Sequence, residues 1–148
     1  MGILRISNTE LNPESEHKAF RNEVKGAGAI VAFTGIVRGE KQDLSLTLSH
    51  YAGFTEKQII RIASKAEKRW SILNWRIIHR VGVMLPGEPI VFVATASLHR
   101  RDSFEAADFL MDYLKSEAPF WKSEKSLGKI KWIEPRHQDL NDKKRWEE

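Results

Sequence analysis

The chain has 148 residues, 41% of them apolar and 30% charged, which is the profile of one ordinary globular domain and excludes a disordered or fibrous chain. It contains no cysteine, so disulfides, thiolate metal sites, a cysteine nucleophile and a persulfide carried on this chain are all excluded. The formal net charge of +4 favours an anionic partner or substrate without saying which.

The opening stretch MGILRISNTELNPES lacks a basic segment followed by an apolar one, and no run reaches the roughly 18 apolar residues of a membrane span. A cytoplasmic protein with no membrane association is the expectation. Asn12-Pro13-Glu14 has the form of a helix cap, and Phe20 and Val24 sit four apart, which predicts a helix over 13–24. Residues 29–37 (AIVAFTGIV) form an apolar run of strand formers, and 44–51 (LSLTLSHY) alternate strictly, so the two are expected to pair as a hairpin. Thr55 with Gln58 resembles a capping box, and Ile59, Ile62, Ala63, Ala66 and Trp70 follow at helical spacing. Residues 74–83 and 89–97 read as a second hairpin around Pro86-Gly87. Asp102 with Glu105 reads as the cap of a helix through Phe104, Ala107, Met111 and Leu114, ending near Ala118 because Pro119 follows. KSEKSLG reads as loop and 129–133 (KIKWI) as a short strand.

The resulting order, α-β-β-α-β-β-α-β, predicts an α+β fold with a mostly antiparallel sheet and three helices. It is one domain over 1–148, with residues 1–25 and the tail 137–148 peripheral.

The common cofactor signatures are missing: no phosphate-binding P-loop, no G-x-G-x-x-G, no H-E-x-x-H and no G-x-S-x-G. What remains is a set of basic residues just past the ends of apolar elements, namely Arg38, His99, Arg100, Lys115 and Lys122. Taken singly, each reads as a solvated element end. Lys115 stands apart, because Met111 lies one turn before it and a proline-fixed turn brings Phe120 and Trp121 after it. A lysine among apolar groups and other cations has a lowered pKa and can serve as base or nucleophile; the competing reading is a lysine that snorkels past capping aromatics. His50 and His79 share the parity of apolar strand neighbours and read as core or edge histidines, and no metal site or cofactor is expected.

The stretches GAIVAFTGIVR (28–38), LSHYAGFTEKQI (48–59), RWSILNWRIIHRVGVMLPGEPIVFVATASLHR (69–100) and FEAADFLMDYLKSEAPFWKSE (104–124) resemble the large, catalytic subunit of molybdopterin synthase. The resemblance implies an α/β-hammerhead fold. It also implies a sulfurtransferase of molybdenum cofactor biosynthesis, which converts cyclic pyranopterin monophosphate to molybdopterin. Two sulfurs would arrive as the thiocarboxylate on the C-terminal Gly-Gly of a small ubiquitin-like subunit, in a heterotetramer built on a homodimer of this chain. The missing cysteine agrees, since a sulfur transferase without its own thiol needs sulfur delivered to it. On this resemblance Lys115 and Lys122 are catalytic, Arg38, His99, Arg100, Lys115, Lys122, Ser123 and Arg136 bind the substrate, and Phe33 and Met111 line the pocket for the partner's tail. Ile36 stands where family members often carry lysine, and the loop from Gly39 to Leu44 looks short. The alternative is a basic nucleic-acid-binding module with Trp121 and Trp132 as stacking surfaces. It is disfavoured because the tail from Arg136 is balanced in charge, and no nucleic-acid partner is expected.

Overall fold

A computed structural model describes residues 2–39, 44–134 and 136–147. The elements run β1 (Ile3–Ser7), α1 (Pro13–Glu23), β2 (Ala29–Ile36), β3 (Ser45–His50), α2 (Phe54–Arg69), β4 (Ile72–Arg80), β5 (Gly82–Met84), β6 (Pro89–Ser97), α3 (Arg100–Ser116), β7 (Phe120–Ser126), β8 (Lys129–Ile133) and α4 (His137–Lys144). The strands form two four-stranded sheets, ordered β1-β4-β6-β2 and β5-β3-β7-β8. All pairings are antiparallel except β1 with β4. The fold is α+β, as expected, with four helices among the described residues where three were predicted.

The first sheet is the heart of the molecule, because β4 and β6 bury side chains on both faces. On one face Ile77, Val91 and Val93 pack with Ile59, Ile62 and Ala66 of α2 and with Phe109, Leu110 and Leu114 of α3. On the other, Ile78, Phe92 and Ala94 pack against Leu11, Phe20 and Val24 in and around α1. Asn12 caps α1 as its sequence predicts, its side-chain oxygen accepting from the Ser15 N–H at 3.1 Å. Buried Arg76 ties the helix to the sheet, donating to Glu16 at 3.2 Å and Glu23 at 2.6 Å. Residues 2–25 therefore supply an edge strand and most of the cover of one sheet face, and are not peripheral. The tail is not peripheral either: Trp146 packs edge-on against Trp70 and Phe109 and donates its indole N–H to Asp112 at 2.6 Å.

Four further expectations give way. β2 and β3 do not form a hairpin; β2 pairs with β6 and β3 with β5 and β7, in separate sheets. The alternating leucines of β3 are satisfied only at the second sheet, where Leu48 is 1% exposed. The segment read as a loop is mostly β7, which turns into β8 through Leu127 and Gly128, at φ 53° and 75°; two successive positive φ values are the mark of a tight hairpin turn. Finally, α2 begins two residues early, with Gly53 and not Thr55 at the cap: Glu56 accepts from the Gly53 N–H at 3.0 Å, and Thr55 is free for another task. Asp102 likewise lies in the first turn of α3 and His99 takes the cap position, while Glu105 accepts from the Trp70 indole at 2.7 Å. The short loop noted between Gly39 and Leu44 falls on 40–43, outside the described residues.

Candidate active site

The sheets meet where the chain leaves β4 and enters β5, through Val81 and the positive-φ Gly82. In the second sheet Gly82 lies opposite Leu48, and Leu48 opposite Lys122. One row thus leads from the crossover straight to Lys122. Side chains alternate along a strand, so Phe120, Lys122 and Glu124 share a face with His50, Leu48 and Leu46 opposite them. Phe120 reaches back to the first sheet and stacks on His79, with ring centroids 4.1 Å apart. The start of β7 is held from α2: the buried Thr55 hydroxyl donates to the Pro119 carbonyl at 3.1 Å and accepts from the Tyr51 N–H at 3.0 Å.

Lys115 comes to this spot from the last turn of α3. Burial, reinforced by the neighbouring Lys115 ammonium and more distantly by Arg38, lowers the pKa of Lys122 to about 8, against a weaker opposing pull from Asp139. Arg38 is carried in by the turn between β5 and β6. The Val37 N–H donates to the Glu88 carbonyl at 2.9 Å and the Gly87 N–H to the Val37 carbonyl at 2.8 Å. That turn is fastened by Arg80, which donates to the Glu88 carboxylate at 2.7 Å and holds its pKa down. His79 completes the cluster. Desolvation, with smaller contributions from Lys122, Lys115 and His50, lowers its pKa to about 4, so the ring is neutral at physiological pH. A neutral ring whose Nδ1 lies 3.0 Å from the Arg80 carbonyl carries its proton on Nδ1.

His99 and Arg100 are elsewhere. They stand at the N-terminal end of α3, and the sixteen residues from His99 to Lys115 span about 24 Å of helix. The antiparallel pair of β2 and β6 gives the same answer, since Arg38 follows the end of β2 while His99 follows the end of β6. One chain therefore gathers Lys115, Lys122 and Arg38, and leaves His99 and Arg100 exposed at the far end. Ser123 follows Lys122 directly and so points to the opposite face of the sheet. Arg136 occupies the cap position of α4, within a turn of the Asp139 that acts on Lys122.

Phe33 and Met111 both belong to the α3 side of the first sheet. Phe33 lies opposite Val93, whose side chain faces the helices. Starting from the contact of Ser103 with Ala29, four strand residues carry Phe33 about 13 Å and eight helical residues carry Met111 about 12 Å, which sets them level. Phe33 remains 41% exposed, on the open edge of the sheet.

The family model described as MoaE protein matches residues 6–117. The chain belongs to the MoaE family. Within it, the molybdopterin synthase catalytic subunit of Pseudomonas aeruginosa is 43% identical over 148 residues, covering 98% of this chain and 99% of that one. Its Escherichia coli K12 counterpart is 47% identical over 122 residues, covering 80% and 81%. Among solved structures, the molybdopterin biosynthesis MoaE protein from Burkholderia ambifaria superposes with a TM-score of 0.86 at 39% identity, over 99% of both chains. The MoaE match takes in Arg38, His99, Arg100 and Lys115 and stops short of Lys122, which the full-length relatives span.

Sequence reasoning missed His79 and Thr55 as parts of this side-chain cluster. Strand parity places a histidine on the inner face without revealing that the face meets two lysines. Thr55 looked like a cap because the glycine that begins the helix carries no side chain to read. Among the described residues there is no group of three His, Asp or Glu side chains arranged to hold a metal, and no helix long and apolar enough to cross a membrane.

Proposed function

We propose that this chain is the catalytic subunit of a molybdopterin synthase, acting in the cytoplasm on cyclic pyranopterin monophosphate with a small sulfur-carrier protein as donor. The observation that carries the reading is the Lys115–Lys122 pair with Arg38, in which Lys122 titrates near 8. The carrier's C-terminal thiocarboxylate and the substrate's cyclic phosphate are both anions. Bringing them together costs Coulomb energy that nearby cations offset, the more so where water is thin.

Within this reading Arg38 is a fixed positive charge for the phosphate, since arginine stays protonated throughout. Lys115 moves protons as each sulfur adds and the phosphate ring opens, or serves as a transient nucleophile, and Lys122 orients and neutralises. Burial, reinforced by the Lys115 ammonium, keeps a neutral amine accessible at Lys122 near physiological pH. Phe33 and Met111 supply the apolar walls beside which a thin glycine tail lies extended.

We include a second copy of the chain in this reading, which the distance between the ends of α3 supports. If His99 and Arg100 contact the same substrate as Lys115, they do so from a neighbouring subunit, and a two-fold dimer presents each α3 N-terminus to the other copy's lysines. Mixing the protein with a thiocarboxylated carrier and cyclic pyranopterin monophosphate should yield the dithiolene product. No product under conditions where the carrier binds would overturn the assignment.

A further inference from the structure

The N-terminus of α3 is built unusually. Its cap residue is His99, at φ −127° and ψ 147°, and the His99 side chain makes no capping hydrogen bond. Helices prefer Ser, Thr, Asp or Asn at that position, because a short polar side chain satisfies an otherwise free N–H. Histidine leaves that task undone, yet the junction is not loose. Three hydroxyl residues beneath it, Thr95, Ser97 and Ser103, are each 0% exposed.

Their hydrogen bonds fix one direction. Ser97 Oγ donates to the His99 carbonyl at 2.5 Å, which uses its only proton. The 2.6 Å contact between Ser97 and Ser103 must then be donated by Ser103. Thr95 Oγ1 donates to the Ser103 carbonyl at 2.7 Å, and the Ser97 carbonyl accepts from the Gly28 N–H at 2.9 Å. The chain of hydroxyls ties β6, the start of β2 and the first turn of α3 together, and it ends on the peptide that joins His99 to Arg100. Buried hydroxyls are costly unless hydrogen-bonded, and here the last bond of the chain, from Ser97, ends on the carbonyl of exposed His99.

We propose that Ser97, supported by Ser103 and Thr95, is a positioning residue that fixes the direction in which His99 and Arg100 leave the fold. It takes over the fastening of the helix start from below, so that the His99 imidazole is free for a ligand. The inference rests on the reading that His99 and Arg100 contact the anionic substrate, and it matters more if they reach a neighbouring subunit's site, where a small change of angle at the peptide is magnified at the side-chain tips.

The test uses Ser97→Ala and Ser97→Thr, with the thiocarboxylated carrier and cyclic pyranopterin monophosphate under single-turnover conditions. Removing a hydrogen bond of this kind should raise the half-saturating substrate concentration about tenfold in Ser97→Ala. The maximal rate should stay within about twofold, because Lys115 and Lys122 are untouched, and Ser97→Thr should restore the substrate dependence. An unchanged half-saturation, a fall in maximal rate alone, or no rescue by threonine would overturn the proposal. Should Ser97→Ala fail to fold, Ser103→Ala is read the same way, with a smaller rise of about threefold. A second measurement is independent of the reaction: in the free protein the His99 ring NMR signals should move in Ser97→Ala while those of His17 and His137 stay. Unmoved His99 signals overturn the proposal. Moved signals together with a His99→Ala/Arg100→Ala variant of normal half-saturation would leave the positioning intact and sink the functional reading.

Discussion

The two ends of α3 both carry cations and are built for different work. At the C-terminal end Lys115 meets Lys122 in the seam between the sheets, beside a histidine stacked on Phe120, and burial pulls both Lys122 and His79 towards neutrality. At the N-terminal end His99 and Arg100 stand exposed, fastened from beneath by buried hydroxyls. Lys122 and His79 lie where water is scarce and lose charge readily, whereas His99 and Arg100 stand in water. The lesson is that one helix can hold cations in two different dielectric surroundings, separated by its length.

The largest expected effect breaks the first end. Lys115→Ala should reduce product formation by about 100-fold or more while the melting temperature stays put, since Lys115 is exposed on the single chain. Lys115→Arg should keep the charge and still lose most of the activity; near-normal turnover in that variant would reduce Lys115 to an electrostatic anchor.

Mixing asks whether the two ends cooperate across copies. Assayed well below half-saturation, where Lys115→Ala and Arg100→Ala chains are each strongly impaired alone, the two refolded together should regain about a quarter of wild-type product, because half the dimers are mixed and each holds one intact site. If mixing restores nothing although light scattering shows mixed dimers, the two ends do not share a substrate.

A third measurement sharpens the contrast in burial. His79 has its pKa lowered from 6.5 to about 4 in the folded chain, so the unfolded chain binds the proton first and stability falls as pH drops from 6.5 towards 4. The loss from this group amounts to at most about 3 kcal/mol. His79→Phe, which keeps a ring against Phe120, should flatten the pH dependence of urea unfolding over that window. Identical curves for the two proteins would show that the ring titrates normally. The smallest effect belongs to Ser123→Ala, whose side chain leaves the strand on the face away from Lys122. Stability should change by no more than about 0.5 kcal/mol, with turnover close to normal. A large fall in turnover would place Ser123 at the substrate after all.

The interior of the first sheet was readable because its rules are local. The apolar run of β6 and the helical spacing in α2 and α3 each point to burial without reference to anything distant. β7 was not readable, because the strand turns Lys122 and Glu124 inward, and charged residues on an inward face look like loop. α4 has no apolar stripe beyond Leu140, and its docking depends on Trp146 finding Trp70 and Phe109 from far along the chain. The site divides in the same way. The lysines were legible from their motif, while His79 became part of the site only through a contact between sheets. The separation of His99 from Lys115 was implicit in the predicted length of the helix between them.

The parallel pairing of β1 with β4 sets a condition on how the chain folds. About seventy residues lie between Ile3 and its partner Arg76, and closing so long a loop costs entropy before any contact repays it. The hairpin of β4 and β6 is local and should form early, leaving an exposed edge on β4 until β1 arrives. Pulse-labelled hydrogen exchange during refolding should therefore protect the amides of β6 ahead of those of β1. Any factor that holds the first strand back would leave β4 open to a wrong partner, which makes this edge the place where misassembly of the protein should begin.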